Sequence, residues 1–267
     1  MVKSTMNLRT FLIAGALAVT LFLFAQRKAE IPAAPGFSAV IDLTQPLSEK
    51  FPNWEGTEKS PFEARPLGRM ERDGYFTRTI SLPEHFATHV DAPAHFAAGR
   101  WTVDQIPPER LVAPLVLLDV RHHVRGNADY QITIEDVAHW EQANGQIPAG
   151  AIVVAYTAWA ARAASMKDYR NPDAAGVMHF PGFLPETARF LVESRNVVAL
   201  GIDTMSVDYG ASTNWPVHKY TAARSVYHIE NLGDLSRVPE VGALIVVAPA
   251  KLAGGSGGPA RVLALVK

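Results

Sequence analysis

The chain has 267 residues, of which 48% are hydrophobic and 19% are charged, and its formal net charge is −1. This length and composition predict a globular protein with a substantial core and exclude a disordered chain. No basic face or tail stands out, so nothing electrostatic supports a nucleic-acid partner. Because the chain contains no cysteine, disulfides, thiolate metal ligands and a cysteine nucleophile are all excluded.

The N-terminus combines basic residues with a short apolar run. Lys3 and Arg9 precede residues 11–25, which are mostly apolar but too few for a spanning helix, since that needs roughly 20 residues. We interpret residues 1–25 as a secretory signal peptide. Because Leu23 is large for the −3 position of a cleavage site, an uncleaved anchor that tethers the protein to a membrane is the alternative. We expect export to the periplasm or the cell exterior.

After this segment the sequence indicates a short linker, residues 26–36, and one domain, residues 37–267. Seven short runs rich in β-branched residues predict strands at 38–43, 77–82, 113–120, 151–157, 197–203, 243–248 and 261–266. Three segments predict helices at 133–145, 185–195 and 217–230. Strands that alternate with helices indicate an α/β domain, although the order of the strands in the sheet cannot be derived from this pattern.

The stretch EHFATHVDAPAHF concentrates three histidines around one carboxylate: His85, His89, Asp91 and His95. A helix would turn Asp91 about 200° away from His89, and Pro93 would break it. An extended chain places odd-numbered positions on one face. Because a straight strand would separate His85 from His89 by about 13 Å, we expect the chain to bend between them.

Imidazole nitrogens and a carboxylate oxygen suit Zn²⁺ or Mn²⁺, and no thiolate is present to favour copper(I). A single histidine is usually an ordinary surface or hydrogen-bonding residue. Three histidines with an aspartate at this spacing indicate metal binding instead, but the spacing does not identify the metal.

The stretch HFATHVDAPAH closely resembles the pattern H-x-G-T-H-x-D-x-P-x-H of the cyclase family of metal-dependent hydrolases, which includes bacterial kynurenine formamidase and isatin hydrolase. Every polar position matches, and Ala87 stands where the family usually has glycine. If that position needs a positive φ, alanine is strained there by roughly 1 kcal/mol or more. Residues 197–235 and 254–265 also look like family segments, so the resemblance extends from about Phe37 to the C-terminus.

The resemblance implies a metal site for one or two ions of zinc or manganese, formed by His85, His89, Asp91, His218 and Glu230. Without the family, Glu230 would be interpreted as a solvated residue at a helix end. The resemblance also implies that His95 is the catalytic acid/base and that Trp54 is a wall of the substrate pocket. His179 and His228 are near the expected site and are interpreted as packing or locally hydrogen-bonded residues, with support of the metal ligands as the alternative. Asp203 and Asp208 are expected to orient ligands or cap turns.

The implied reaction is hydrolysis of an acyl C–N or C–O bond in a small, aromatic substrate. The named activity that the resemblance favours is arylformamidase, which converts N-formyl-L-kynurenine and water to L-kynurenine and formate in tryptophan catabolism. Ring opening of isatin or of another lactam or lactone is the alternative within the family, and the export signal argues against assuming an intracellular pathway. A non-catalytic metal- or ligand-binding protein is a further alternative, which the complete polar motif disfavours.

The resemblance also implies the fold and the assembly. The family looks like a compact α/β domain of the swivelling β/β/α type, with a mainly β core and flanking helices. Its active sites lie near subunit contacts, so a homodimer or homotetramer is expected.

Overall fold

The structure, a computed structural model, describes residues 35–267. The predicted signal or anchor at 1–25, and the linker up to residue 34, therefore lie outside the described residues. No helix in the part of the chain that is described is long and apolar enough to cross a membrane.

The strands of the described residues are β1 Ala39–Asp42, β2 Glu63–Gly68, β3 Thr77–Ser81, β4 His89–Asp91, β5 Val112–Asp119, β6 Gln131–Ile132, β7 Ile152–Tyr156, β8 Gly182–Phe183, β9 Ala199–Ile202, β10 Tyr227–Glu230, β11 Ala243–Pro249 and β12 Gly257–Val266. The α-helices are α1 Met70–Asp73, α2 Arg121–Val124, α3 Ile134–Asn144, α4 Met166–Arg170, α5 Pro185–Arg195 and α6 Pro216–Ala222. Short 3₁₀ turns cover Pro93–His95, Val103–Gln105, Pro108–Arg110 and Trp159–Arg162.

Seven of these strands close into a mixed barrel in the order β12, β11, β5, β7, β9, β10 and β4, and β4 pairs back onto β12. Neighbours are parallel from β5 through β7 and β9 to β10, and antiparallel elsewhere. Strand β1 adds antiparallel to β12, whereas β2–β3 and β6–β8 form two small separate sheets. The barrel confirms the predicted α/β domain with a mainly β core and flanking helices.

Two apolar cores lie on opposite faces of the barrel strands. In β5, Leu115 and Leu117 belong to the core inside the barrel, whereas Val116 and Leu118 belong to the core shared with α3 and α5. Because the central strands are buried on both faces, they consist of continuous apolar runs instead of alternating ones. Because of this burial, the central strands could be recognised in the sequence as apolar runs.

All seven predicted strands are present, and so are the helices predicted at 133–145 and 185–195. At the start of α3, the side chains of Thr133 and Asp136 form the capping box that the sequence indicated.

The helix predicted in the segment 217–230, which we expected to end near His228 and before Glu230, is wrong in its second half. The helix ends at Ala222, and after a turn in which Ser225 has a φ of 58° the chain forms β10. In β10, Tyr227 and Ile229 belong to the core inside the barrel. Burial of these two side chains outweighs the local helical pattern, because alternate residues reach the interior only from an extended chain.

Candidate metal centre and active-site cavity

Two antiparallel strands present the central side chains of the site. His89 of β4 lies opposite Glu230 of β10, and Asp91 lies opposite His228. The residue between the two in each strand belongs to the core inside the barrel. Because side chains alternate along a strand, all four polar residues share the outer face of the barrel.

The expected bend before β4 is present. Ala87 adopts a left-handed conformation with a φ of 54°, as the family glycine would suggest. This bend brings Nδ1 of His85 to 2.6 Å from Oδ1 of Asp91. The expectation of a shared extended face is right for His89 and Asp91 but wrong for His85 and His95, because His85 precedes the strand and His95 lies in the 3₁₀ turn that follows it.

The start of β12 supports His85 from behind. The Ser256 hydroxyl donates to Oε2 of Glu84 at 2.7 Å and lies 2.9 Å from Nε2 of His85. Since that hydroxyl proton points to Glu84, Ser256 accepts from the N–H at Nε2, and the bare Nδ1 of His85 faces Asp91. A Cβ on Gly257 would lie only 2.5 Å from Cε1 of His85, so the ring requires glycine here. Hydrogen bonds from Ser256 lower the pKa of Glu84.

His218 is held by a buried carboxylate at the start of α6. Asp208 accepts from the backbone N–H groups of Val217 and His218 at 3.0 and 3.1 Å, and from Nδ1 of His218 at 2.6 Å. The bare Nε2 of His218 therefore lies 3.1 Å from Asp91 and 3.2 Å from Glu230. Asp208 thus both caps the helix and orients the imidazole, the two roles that the sequence suggested for it.

His89 has the same arrangement. Its Nδ1 donates to the carbonyl of Ala87 at 2.9 Å, and its Nε2 lies 3.0 Å from Asp91 and 3.5 Å from Glu230. The structure therefore brings the five residues predicted as metal ligands into one cluster.

The chemistry of this cluster fits a metal ion. Bare imidazole nitrogens converge with two carboxylates, and such a set consists of acceptors that only protons or a cation can reconcile. His85, His89 and Asp91 alone offer three ligand atoms within 4.8 Å of one another. The flanking hydrogen bonds that orient each ring are those that metal-binding histidines require.

The local electrostatics also favour positive charge. Burial opposes protonation of His89, but Asp91 and Glu230 outweigh it and raise the pKa of His89 to about 8. Burial likewise opposes protonation of His218, and Asp208, Asp91 and Glu230 hold its pKa well above the usual value. Burial would raise the pKa of Asp91, but the surrounding imidazoles hold it well below the usual range. A negative potential that attracts protons also attracts a divalent cation, which competes with protons for the same ligand atoms.

The cluster forms the floor of a cavity of about 390 Å³ with aromatic walls. Trp54 lines the cavity as predicted, and its ring lies 5.5 Å from that of Trp215. Phe96 and Trp215 complete the apolar lining and were not identified from the sequence, although both stand close to motif histidines. His95 lines the cavity and stacks on His85 with ring centres 4.0 Å apart. Burial lowers the pKa of His95 to about 4.

Comparison with known proteins identifies the relatives of this chain. The Cyclase family model, described as "Putative cyclase", matches residues 41–209. The chain belongs to the cyclase family. An isatin hydrolase from Roseibium aggregatum is 30% identical over 214 residues, which cover 76% of this chain and 81% of the relative. A kynurenine formamidase from Salinibacter ruber is 24% identical over 225 residues, which cover 84% of this chain and 96% of the relative.

The fold agrees with a solved family structure. Isatin hydrolase A from Ralstonia solanacearum matches with a TM-score of 0.79 and 34% sequence identity, and the match covers 100% of both chains. This cyclase-family chain is therefore similar over its whole domain to metal-dependent hydrolases, and its cluster of histidines and aspartate could hold a metal ion.

Proposed function

We propose that this cyclase-family protein is a metal-dependent hydrolase that opens the acyl C–N bond of a small, flat, cyclic amide of the isatin type. The observation that carries this proposal is the convergence of bare imidazole nitrogens and buried carboxylates on the floor of an aromatic cavity. Isatin hydrolases, at 30% and 34% identity, are the more similar of the relatives described above and support the cyclic substrate.

The lining of the cavity supports a neutral substrate. No Lys or Arg occurs among the described residues that line it. N-formyl-L-kynurenine carries an α-carboxylate, which a site normally pairs with a basic side chain. A cyclic amide such as isatin has no charge to pair, and the aromatic walls formed by Trp54, Phe96 and Trp215 suit its planar ring.

We assign the metal to His85, His89, Asp91, His218 and Glu230. A bound divalent ion would supply Lewis acidity, which polarises an amide carbonyl and acidifies water. Zn²⁺ and Mn²⁺ both suit these ligands. Asp208 and Ser256 keep their imidazoles turned with the bare nitrogen inward, so that the ligands are preorganised.

We assign the proton transfer to His95. Water adds to the carbonyl carbon, the C–N bond breaks, and the departing nitrogen takes a proton. Because burial lowers the pKa of His95 to about 4, its imidazole is neutral near pH 7 and can accept a proton from water, which it then delivers to that nitrogen.

Arylformamidase activity is the second candidate. It is favoured by the kynurenine formamidase relative and by Glu55, an acidic residue of the cavity lining that could pair with the ammonium group of the substrate. Both candidates use the same metal cluster and the same His95, and they differ only in the recognition of the substrate.

Turnover of a substrate panel tests the proposal. Protein loaded with Zn²⁺ or Mn²⁺ is assayed with isatin, N-formyl-L-kynurenine and an aryl lactone. We expect isatin to be opened fastest. Preferential cleavage of N-formyl-L-kynurenine would replace the first candidate with the second. A protein that binds metal but turns over none of the panel would favour the non-catalytic binding protein.

The oligomeric state of the protein and its export from the cytoplasm are proposals as well. We propose a homo-oligomer, because the hairpin of β2 and β3 exposes large apolar side chains by more than half: Leu67, Met70, Tyr75 and Phe76. Exposed apolar patches of this kind mark interaction surfaces. Light scattering that gives a monomer mass would contradict the assembly. Recovery of the native protein with Met1 intact from the soluble cytoplasm would contradict export.

A further inference from the structure

His228 stands in the cluster of histidines and carboxylates, although packing, local hydrogen bonds or support of the ligands were its expected roles. It lies in β10 two residues before Glu230, and its side chain is directly opposite Asp91. The side chain is 3% exposed, and no described residue offers its Nδ1 a hydrogen bond. A buried polar atom without a hydrogen-bond partner is costly, so a missing partner is indicated.

The surrounding hydrogen bonds determine which ring nitrogen of His228 carries the proton. The Thr221 hydroxyl donates its one proton to the carbonyl of Val217, one helical turn back, at 2.7 Å. The same oxygen lies 2.6 Å from Nε2 of His228. Because the Val217 carbonyl can only accept, we assign the hydroxyl proton to it, so that Thr221 accepts from the N–H at Nε2 and a lone pair remains on Nδ1.

That lone pair faces another acceptor. Nδ1 of His228 lies 3.8 Å from Oδ2 of Asp91, which is too long for a hydrogen bond. Two ligands that sit about 2.1 Å from a shared zinc ion lie about 3.4 Å apart at the tetrahedral angle. The separation therefore matches two ligands of one cation better than a direct contact. His218, Asp91 and His228 offer three ligand atoms within 4.8 Å of one another.

We propose that His228 is a metal ligand, and that it holds a cation together with Asp91 and His218. The two oxygens of Asp91 face different partners: Oδ1 faces His85 and His89, whereas Oδ2 faces His218 and His228. The Asp91 carboxylate thus separates a subsite on the His85 side from a subsite on the His228 side. This inference rests on the proposed function, because it adds a ligand to the same centre.

The test compares metal binding of the full-length wild type with that of a His228→Ala variant. Zinc stoichiometry is measured by plasma mass spectrometry, affinity by competition with a chelator, and the gain in Tm on adding zinc by thermal unfolding. His179→Ala is the matched control, because His179 also contacts carboxylates but lies outside the cavity. We expect His228→Ala to lose one equivalent of zinc or to bind zinc at least tenfold more weakly, with a smaller gain in Tm.

A second variant protects the test against misfolding. Thr221→Val keeps the shape of the side chain and removes the acceptor that orients His228, so it should also weaken zinc binding at least tenfold. If His228→Ala does not fold, the zinc affinity of Thr221→Val decides whether His228 is a ligand. Unchanged stoichiometry with less than a tenfold change in affinity would overturn the role of His228 while the proposed function stands. A wild type that binds neither zinc nor manganese would overturn the proposed function itself.

Discussion

The protein has two histidine-rich regions, and they differ in the groups that surround their carboxylates. At the candidate metal centre, Asp91 is 3% exposed and is surrounded by bare imidazole nitrogens. In a surface groove near α2 and α3, His123 lies 3.3 Å from Asp136 and stacks on Tyr130. There Asp136 already accepts from the Tyr130 hydroxyl at 2.6 Å and from the Thr133 backbone at 2.8 Å.

The comparison shows that counting histidines does not identify a metal site. The groove contains His122, His123 and His139 beside acidic residues, yet its central carboxylate is satisfied by protein donors and its imidazoles are solvated. In the cluster each ring donates outward to a carbonyl, carboxylate or hydroxyl and therefore turns a lone pair inward. Outward donors and burial distinguish a metal centre from a polar surface.

The largest effect is expected from substitution of His95, which lines the cavity. His95→Asn should lower kcat by about 10²–10⁴-fold, because it removes the proposed acid/base. Metal content should stay unchanged, since His95 is not assigned as a ligand. Steady-state kinetics and plasma mass spectrometry on the same preparation check this. Loss of metal together with rate would make His95 a ligand instead.

A smaller but still large effect is expected at Gly257, where β12 packs against the His85 ring. Gly257→Ala would drive a methyl group to 2.5 Å from the His85 ring and from the Val90 carbonyl, so the ring must move. We expect a loss of about 1–3 kcal/mol in the free energy of unfolding and weaker metal binding. Gly126→Ala, where no atom lies within 4 Å, is the control near the surface groove and should change neither. Equal behaviour of the two variants would contradict the close packing of His85.

The orienting hydrogen bond behind His85 gives a more moderate effect. Ser256→Ala removes the acceptor for Nε2 of His85 and should weaken metal affinity by about tenfold. Competition with a chelator measures this. Ser236→Ala, whose hydroxyl contacts only an exposed aspartate, serves as the control. An affinity equal to that of the control would show that Ser256 does not orient the ligand.

The smallest effect is expected for His179, which lies outside the active-site cavity. A hydrogen bond with Asp129 raises the pKa of His179 above its usual value of 6.5. The ion pair therefore stabilises the fold fully below about pH 6.5, and this contribution is lost as the pH rises through the raised pKa. His179→Gln should lower the stability by less than about 1 kcal/mol at pH 6 and by nothing measurable at pH 9. Thermal unfolding at both pH values checks the difference, and a constant difference would contradict the ion pair.

The sequence predicted the fold class and seven of the strands, but not the arrangement of the strands in a barrel. The motif around Asp91, and the family resemblance that pointed to His218 and Glu230, led to candidate ligands that the fold brings together. Long apolar runs such as 113–120 and 151–157 were recognisable as strands because they are buried on both faces. Closure of the barrel through β4 and β12 depends on contacts between distant segments, and no local pattern encodes them.

His228 illustrates why the rest of the site could not be predicted from the sequence. Its position two residues before Glu230 places both on one face only if 227–230 is a strand. The helical pattern that begins in α6 concealed that strand, and only the burial of Tyr227 and Ile229 inside the barrel reveals it. Phe96 and Trp215 were missed for a related reason, because aromatic residues near a motif enter a cavity only in the folded chain.

Metal content tests the central claim most directly. The wild type, His89→Ala and His123→Ala are purified without chelator, supplied with zinc or manganese, and analysed by plasma mass spectrometry. The contrast between the two regions predicts one or two equivalents in the wild type and in His123→Ala, and a loss of metal in His89→Ala. A folded wild type that stays empty, or a His89→Ala variant that binds metal as the wild type does, would contradict it.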